Sequence, residues 1–371
     1  MSGPEWLLGA RRAPSAHNTQ PWQFVREPDG RIAVSWAAER TLPVGDPTSR
    51  DLFLSLGAAV ESACLRSLAA GEPLHFEVAP PASDAERIVG WLAPDAPGQT
   101  PDPGDLELAA MLDRRQTVRS PHLPSPVPPS VRGALFQEAE RHGRLLQITT
   151  DRPTVRQLAT LAGQATAALF ADEAVHAELW QWMRLDPSDP VYQRDGLTAD
   201  CLELDGLPLM LARQTMPPAR MRWLSRLGLH HLLASDTARV ARESAAICLL
   251  WSPAADRDAL VETGRVLQRI WLLAAASGLT THPLSALLDH AETREQVARL
   301  YQDAPSPCPY SPPWGPSAST NDGASPLRGL SVSRDPHGPV RGRGETGDIS
   351  PPLHRRGEGV GRRGPSRSLG G

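Results

Sequence analysis

The sequence predicts an α+β protein in which one chain holds two related halves, followed by a tail of different composition. Three observations predict this class. Segments of helical and of strand-like periodicity are mixed throughout residues 1–304. A short helix that ends in arginines and runs into a loop occurs twice, before Ala13 and before Gln116. A linker rich in Pro, Gly and Asp, at residues 94–104, separates the two occurrences.

The first half is predicted to hold a hairpin, one long helix and two more strands. The alternating segments 22–26 and 31–36 flank Glu27-Pro28-Asp29-Gly30, a sequence typical of a hairpin turn. Residues 52–68 carry apolar side chains at helical spacing and predict the long helix. Residues 74–78 and 88–92 predict the remaining strands.

The second half is predicted to be richer in helix. Helices are expected at 106–115, 130–142, 154–183, 256–277 and 292–301, with an irregular helical segment at 217–234. Strands are expected at 145–149 and 245–251, and loops at 115–129, 186–206 and 280–286. Gly278 directly follows the most apolar of these helices and predicts its C-terminal cap.

The tail, residues 305–371, is predicted to be disordered. It is crowded with Pro, Gly, Ser and Arg, and its apolar residues are too sparse to bury a face. It carries 9 Arg and 5 acidic residues, a net charge of +4, so residues 1–304 hold 29 basic and 37 acidic residues, a net charge of −8. Such a tail could bind nucleic acid electrostatically or do nothing specific; we expect no nucleic-acid partner. A frame-shifted or replaced C-terminus after Tyr301 is a third hypothesis.

Composition excludes several classes of function. The chain has no lysine, so its 38 basic residues are all Arg. Schiff-base chemistry and a Walker A lysine are therefore excluded, and phosphate binding must rely on Arg, backbone N–H groups and hydroxyls. The four cysteines are scattered and no His cluster has zinc spacing, so no metal site is expected. No signal peptide and no apolar span of membrane length are evident, so we expect a soluble cytoplasmic protein with no membrane partner.

Three segments are candidates for chemistry. The first is Ala13-Pro14-Ser15-Ala16-His17-Asn18-Thr19-Gln20-Pro21-Trp22, which is either a structural connector or a loop that presents polar groups to a flat polar ligand. The second is Arg114-Arg115-Gln116-Thr117-Val118-Arg119, whose two Arg with a hydroxyl between them could bind a phosphate or simply pair with a helix C-terminus. The third is a buried helix that runs through Gly278 into His282-Pro283-Leu284-Ser285-Ala286, either a core helix with a turn or a backbone that a ligand plane can approach.

These segments, in this order, resemble nitroreductase-like flavoproteins, and the spelling APSAHNTQPW resembles the single-chain, two-domain Acg-type FMN-binding branch. The resemblance implies FMN as cofactor and NADH or NADPH as electron donor. It also implies a monomer that acts as a pseudo-dimer, with half-domains at 1–98 and 105–304 and a lid near 186–234. By resemblance the FMN ligands are Pro14, Ser15, Ala16, Asn18, Arg115, Gln116, Thr117, Arg119, Pro283, Leu284, Ser285 and Ala286, with Ser285 and Ala286 as N–H donors.

The resemblance implies hydride transfer from NAD(P)H to a small acceptor of nitroaromatic or quinone type, because the cofactor carries the redox chemistry. No side-chain acid or base is assigned as catalytic. Gln116 and Val118 depart from the branch, which often has His and a polar residue there. Two alternatives remain open: a protein that binds and sequesters FMN without turnover, and a nitroreductase-like chain made inactive by an altered C-terminus. No GxSxG motif is present, so a hydrolase is not expected.

Overall fold

The computed structural model describes residues 4–80, 87–95, 100–120, 125–302 and 325–334, the last of these as backbone only. Mixed helix and sheet are present in both halves, as the α+β prediction requires. The first half contains α1 (Glu5–Ala10), β1 (Trp22–Arg26), β2 (Ile32–Trp36), α2 (Arg50–Ala69), β3 (Leu74–Val78) and β4 (Ile88–Pro94). The four strands form an antiparallel sheet in the order β1-β2-β4-β3.

The second half begins with α3 and closes with a strand beyond residue 320. Its helices are α3 (Pro103–Met111), α4 (Pro129–Arg141), α5 (Arg152–Ala171), α6 (Glu173–Gln181), α7 (Gly206–Thr215), α8 (Pro218–Ser225), α9 (Leu229–Glu243), α10 (Arg257–Ala276), α11 (Ala286–Asp289) and α12 (Ala291–Gln302). Its strands are β5 (Leu145–Thr149), the short parallel pair β6 (Met183–Arg184) and β7 (Leu197–Thr198), β8 (Ala246–Ser252), β9 (Leu279–Pro283) and β10 (Ser325–Arg334). The order of the main sheet is β5-β8-β10-β9.

β8 is buried on both faces, which explains why its sequence is a continuous apolar run. Cys248 and Leu250 pack into the core beneath α10, whereas Ile247 and Leu249 pack into the core beneath α5 and α11. Side chains alternate along a strand, so one strand supplies both cores. The second half is thus a sheet covered by helices on both sides.

The two halves meet where α2 packs along α10. Within the described residues, α2 is the one helix long and apolar enough to cross a membrane, and most of it is buried inside the protein. It lies in the first core, next to Leu92 and Val261. Its apolar length therefore reflects contact with the sheet on one side and with α10 on the other.

The structure corrects or adds to the sequence predictions at four places. The helix predicted at 154–183 is broken at Asp172, whose carboxylate caps the N-terminus of α6 by accepting from the Ala174 and Val175 N–H groups. The loop predicted at 280–286 contains the end of β9, because β10 supplies a partner that local sequence could not reveal. The unassigned stretch before Pro217 forms α7.

The fourth correction concerns the tail. Disorder was predicted for 305–371, yet Ser325–Arg334 form β10, which lies between β8 and β9. The rest of the tail lies outside the described residues. Residues 96–99, in the middle of the predicted 94–104 linker, also lie outside them.

Candidate functional site

The loop after α1 holds an unusual backbone conformation. His17, Asn18 and Gln20 have φ angles of 48°, 54° and 49°, in the left-handed region that non-glycine residues rarely adopt. Ser15 closes the loop, since its Oγ accepts from the Gln20 N–H at 3.0 Å. Three left-handed residues within four positions cost free energy, and such strain persists only where surrounding contacts enforce it.

Those enforcing contacts come from a distant segment, residues 194–196. Asn18 Nδ2 donates to the Gly196 carbonyl at 3.0 Å, and the Gly196 N–H donates back to the Asn18 carbonyl at 3.1 Å. Gln20 Nε2 donates to the Arg194 carbonyl at 2.5 Å. Gly196 has a φ of 79°, and a Cβ there would lie 2.5 Å from the Trp182 carbonyl oxygen, so only glycine fits. Asn18, expected as a ligand, is therefore paired with the region expected to form a lid.

The second and third candidate segments lie side by side. The Val118 N–H donates to the Thr281 carbonyl at 3.1 Å, and His282 Nδ1 donates to the Val118 carbonyl at 3.0 Å. Thr117 and Thr281 form an isolated parallel bridge. The Arg115–Arg119 segment thus extends the second sheet beyond β9, which brings two motifs 160 residues apart in sequence into direct contact.

The two arginines of this segment point to different neighbours. Arg115 Nη2 donates to the Arg12 carbonyl at 3.1 Å, and its guanidinium stacks on the Trp271 ring at 4.8 Å from the centroid. Arg119 donates its backbone N–H to Glu203 Oε1 at 2.7 Å and its guanidinium to the Cys201 carbonyl. Arg115 therefore links the opening loop to α10, while Arg119 is held by the 194–203 segment.

The remaining predicted ligands differ in accessibility. Gln116 is exposed, and Pro14, Ser15, Ala16 and Thr117 are half-buried. Pro283 ends β9 opposite Leu330, and Leu284 is buried in the core beneath α5. Ser285 and Ala286 start α11, where backbone N–H groups lack intrahelical partners by geometry. The backbone, rather than the Leu284 side chain, is what this turn can offer a ligand.

A charged cluster next to the loop was missed at the sequence level. Arg50, at the start of α2, donates to the Leu288 carbonyl at 3.2 Å and contacts the carboxylates of Asp51 and Asp289. Burial, together with the charge of Asp51, raises the pKa of Asp289 to about 7, and the same two causes raise that of Asp46 to about 6. The Arg50-Asp51 pair opening an otherwise apolar helix was the signal available in the sequence.

His17 lies within electrostatic reach of both Asp51 and Arg119. Burial lowers its pKa to about 4, Asp51 opposes that shift, and Arg119 adds to it. The loop therefore holds a neutral imidazole at neutral pH. The effect of the Arg119 charge on His17 shows that the loop and the Arg115–Arg119 segment are close enough to interact.

We expect acid to weaken the fold through His17. Its pKa is lowered on folding, so the stability it contributes is present above about pH 6.5 and is lost as pH falls through about 4. Between about pH 7.5 and about pH 5, the free energy of unfolding of the native chain should fall by about 1 to 2 kcal/mol more than that of His17→Asn. Urea titrations at both pH values measure this difference. Equal acid losses in the two proteins would contradict the assignment.

The space at the loop is small, and its lining holds two carboxylates, Asp46 and Asp51, against one guanidinium, that of Arg40. The cavity lined by Ala16, Thr19, Arg40, Asp51 and Ser55 has a volume of about 10 Å³, far below the roughly 300 Å³ of the smallest typical ligand pockets. Two buried polar atoms near the arginine segment, Thr281 Oγ1 and Trp271 Nε1, have no hydrogen-bond partner among the described residues. Within those residues, no three His, Cys, Asp or Glu side chains could hold a metal ion together.

Comparison with known proteins gives relatives along most of the chain, although no protein-family model matches it. An uncharacterized protein of Mycobacterium tuberculosis is 26% identical over 293 residues, 78% of this chain but 39% of that protein. A Mycobacterium tuberculosis protein described as "Putative NAD(P)H nitroreductase" is 28% identical over 293 residues, 78% of both chains. The "Probable NAD(P)H nitroreductase PigM" of Serratia is 26% identical over 297 residues, 78% of this chain and 81% of that one.

Among solved structures, the FMN-dependent nitroreductase NfnB of Mycobacterium smegmatis, determined in complex with NADPH, aligns with 62% of this chain and 87% of its own. The TM-score is 0.34 and the sequence identity 17%. The chain spans only about two fifths of the first relative but nearly four fifths of the two nitroreductase relatives. The sequence relatives confirm the resemblance that the three motifs predicted.

Proposed function

Since its sequence relatives include proteins described as NAD(P)H nitroreductases, we propose that the chain is an FMN-dependent oxidoreductase that takes hydride from NADH or NADPH and reduces a small acceptor. The observation that carries the proposal is the pairing of Val118 with Thr281 and His282. It brings the Arg and hydroxyl donors of the second segment next to the turn that begins at Pro283. Nitroaromatic or quinone acceptors, a cytoplasmic location and a monomeric pseudo-dimer belong to the same proposal.

The donor set fits FMN chemically. Arg115, Thr117 and Arg119 would hold the phosphate and ribityl chain, because guanidinium and hydroxyl donors make strong charge-assisted bonds to phosphate. Gln116 is the weakest of the proposed ligands, since its side chain is exposed. Bound FMN would supply the hydride acceptor and donor. Near its ring we propose Ser15 and Asn18, flanked by Pro14 and Ala16, together with the backbone from Pro283 to Ala286.

The residues of this chain would bind, orient and shield rather than exchange protons. N–H groups of Ser285 and Ala286 would face the ring edge, and a fixed positive charge would stabilise negative charge on the reduced ring. Because the pKa of His17 is low, its imidazole would be neutral and would add no positive charge to the loop. The 194–203 segment must move to admit a ligand, because it now engages Asn18, Gln20 and Arg119. That movement is what we expect of a lid within 186–234.

A second candidate is a protein that sequesters FMN without turnover. The contacts just described favour it, since a segment that holds the loop and Arg119 could also cover a bound ring and exclude nicotinamide. The third reading, a chain inactivated by an altered C-terminus, loses support because β10 supplies a strand between β8 and β9. We propose 1–98 as the first half-domain and 105–304 as the second, whose main sheet is completed by β10 from outside those bounds.

The deciding experiment is a visible absorption spectrum of the full chain purified from FMN-supplied cells. We expect a flavin spectrum, loss of at least about tenfold in FMN affinity for Arg115→Ala, and no change for the distant Arg299→Ala. NAD(P)H should bleach the flavin. A reduced state reached only with dithionite would favour sequestration, and a folded chain that takes up no FMN would refute both.

A further inference from the structure

The helices α7, α8 and α9, together with the turn between α8 and α9, expose an unusual number of large apolar side chains. Those at least half exposed are Leu207, Met210, Leu211, Trp223, Leu227 and Leu232. On α7 the first three are spaced at i, i+3 and i+4, so they form one apolar face, and no residue of α7 is buried. α8 contacts both α7 and α9, so these side chains lie on neighbouring elements, which we call the basic apolar surface. Exposed apolar side chains grouped on neighbouring elements are a common mark of a binding surface.

Most of this region carries positive charge. Residues 206–235 contain four Arg, two His and no Asp or Glu, whereas residues 1–304 as a whole have a net charge of −8. Acidic residues occur only at its margins, with Asp205 before α7 and Asp236 and Glu243 in the second half of α9. Arg213, Arg220, Arg222 and Arg226 are all exposed. One acidic neighbour from outside is Glu173 of α6, whose carboxylate lies 3.8 Å from Arg222 Nη1 with both side chains exposed. Arginines interleaved with Leu, Met and Trp therefore form a positive surface on an acidic protein.

We propose that the basic apolar surface docks onto an anionic lipid bilayer. Short helices that combine exposed Leu and Trp with Arg are the pattern of segments that lie in the interface of a membrane, with their apolar faces buried at the level of the headgroups. A second copy of this chain fits less well, because a symmetric contact would place the four arginines against four arginines. This proposal departs from the sequence expectation of no membrane partner, which rested on the lack of a signal peptide and of a spanning segment; the proposed surface would lie on a bilayer without crossing it.

Sedimentation with lipid vesicles tests the proposal. The full chain should sediment with vesicles of phosphatidylcholine mixed with phosphatidylglycerol and remain in solution with phosphatidylcholine alone. Arg222→Glu with Arg226→Glu should weaken binding at least about tenfold, and binding should fall as salt rises. Leu227→Ser with Leu232→Ser should weaken it similarly, because both side chains are exposed and their replacement does not disturb a core.

Matched controls lie on other faces. Arg299→Glu on α12 reverses the charge of one arginine, and Leu145→Ser on β5 removes one exposed leucine; neither should alter sedimentation. Circular dichroism confirms that each variant is folded. The proposal is overturned if the native chain ignores anionic vesicles. It is also overturned if the arginine pair weakens binding while the leucine pair does not, because charge alone would then hold the protein on the vesicle and the apolar side chains would not be buried in it. Self-association of the native chain that the leucine pair abolishes, without vesicle binding, would overturn it in favour of a second copy.

Discussion

Replacing Gly264 with alanine is expected to destabilise the protein by about 3 kcal/mol or more, although alanine is the better helix former by about 1 kcal/mol. The glycine lies where α10 crosses α2. A Cβ at this position would lie 2.2 Å from the Leu54 carbonyl oxygen, and a Cβ at Gly57 would lie 1.9 Å from that of Val261. Both obstructions are backbone atoms, so neither side can rotate away, and the two helices would have to separate.

Gly133 offers a matched control. It lies inside α4, and a Cβ there would meet nothing within 4 Å. Gly133→Ala should therefore stabilise the protein by about 0.5 to 1 kcal/mol. Urea unfolding of both variants measures the contrast. If Gly264→Ala were as stable as the native chain, the close crossing of α2 and α10 would be wrong.

A second large effect is expected at Glu61, which lies buried between the same helices. Its carboxylate accepts from Arg265 Nε at 2.9 Å and from Arg269 Nη1 at 2.7 Å. Burial alone would raise its pKa, but the two arginines outweigh burial and lower it, so the group is ionised. Glu61→Gln would remove the buried carboxylate that the two guanidinium groups share. Arg265 would keep Glu262, and Arg269 would keep Glu138 and Asp105, so we expect a cost of about 2 kcal/mol.

The matched exposed pair is Glu295 with Arg299, whose atoms lie 3.3 Å apart at the surface of α12. Glu295→Gln should change the free energy of unfolding by less than about 1 kcal/mol, since solvent screens that pair. Denaturant curves at one pH compare the two variants directly. Similar small losses in both would mean that water reaches Glu61 and that the buried cluster does not join the halves.

Local patterns were enough to predict much of the fold. The hairpin at 22–36 follows from alternation and a turn sequence, and the helix predicted at 52–68 is found as α2, Arg50–Ala69. The failures share one cause: the deciding partner is distant. β9 is a strand because β10 lies beside it, and β10 has a composition typical of disordered segments. The approach of Gly57 to α10 is equally non-local, although glycine inside an apolar helix is a usable signal of close packing.

The candidate site divides in the same way. The residue patterns of the loop, the arginine segment and the turn at Pro283 were enough to predict these three segments as the candidate site. The structure joins the last two through the hydrogen bond between Val118 and Thr281. The partners of Asn18 and Arg119 in the 194–203 segment could not be predicted, because no local pattern identifies a carbonyl acceptor 178 residues away. The Arg50 cluster was missed for a related reason, since Asp289 joins it from the far end of the chain.

The position of β10 has a consequence for the order in which the protein can form during synthesis. The first sheet needs nothing beyond residue 94, so it can assemble while the rest of the chain is still being made. The second sheet cannot, because β9 reaches β8 only through a strand that the ribosome delivers some forty residues later. Until then β8 and β9 present open edges that can pair with other chains. Nascent protein is therefore most exposed to misassembly in the interval between translation of β9 and of β10, when chaperone protection would matter most.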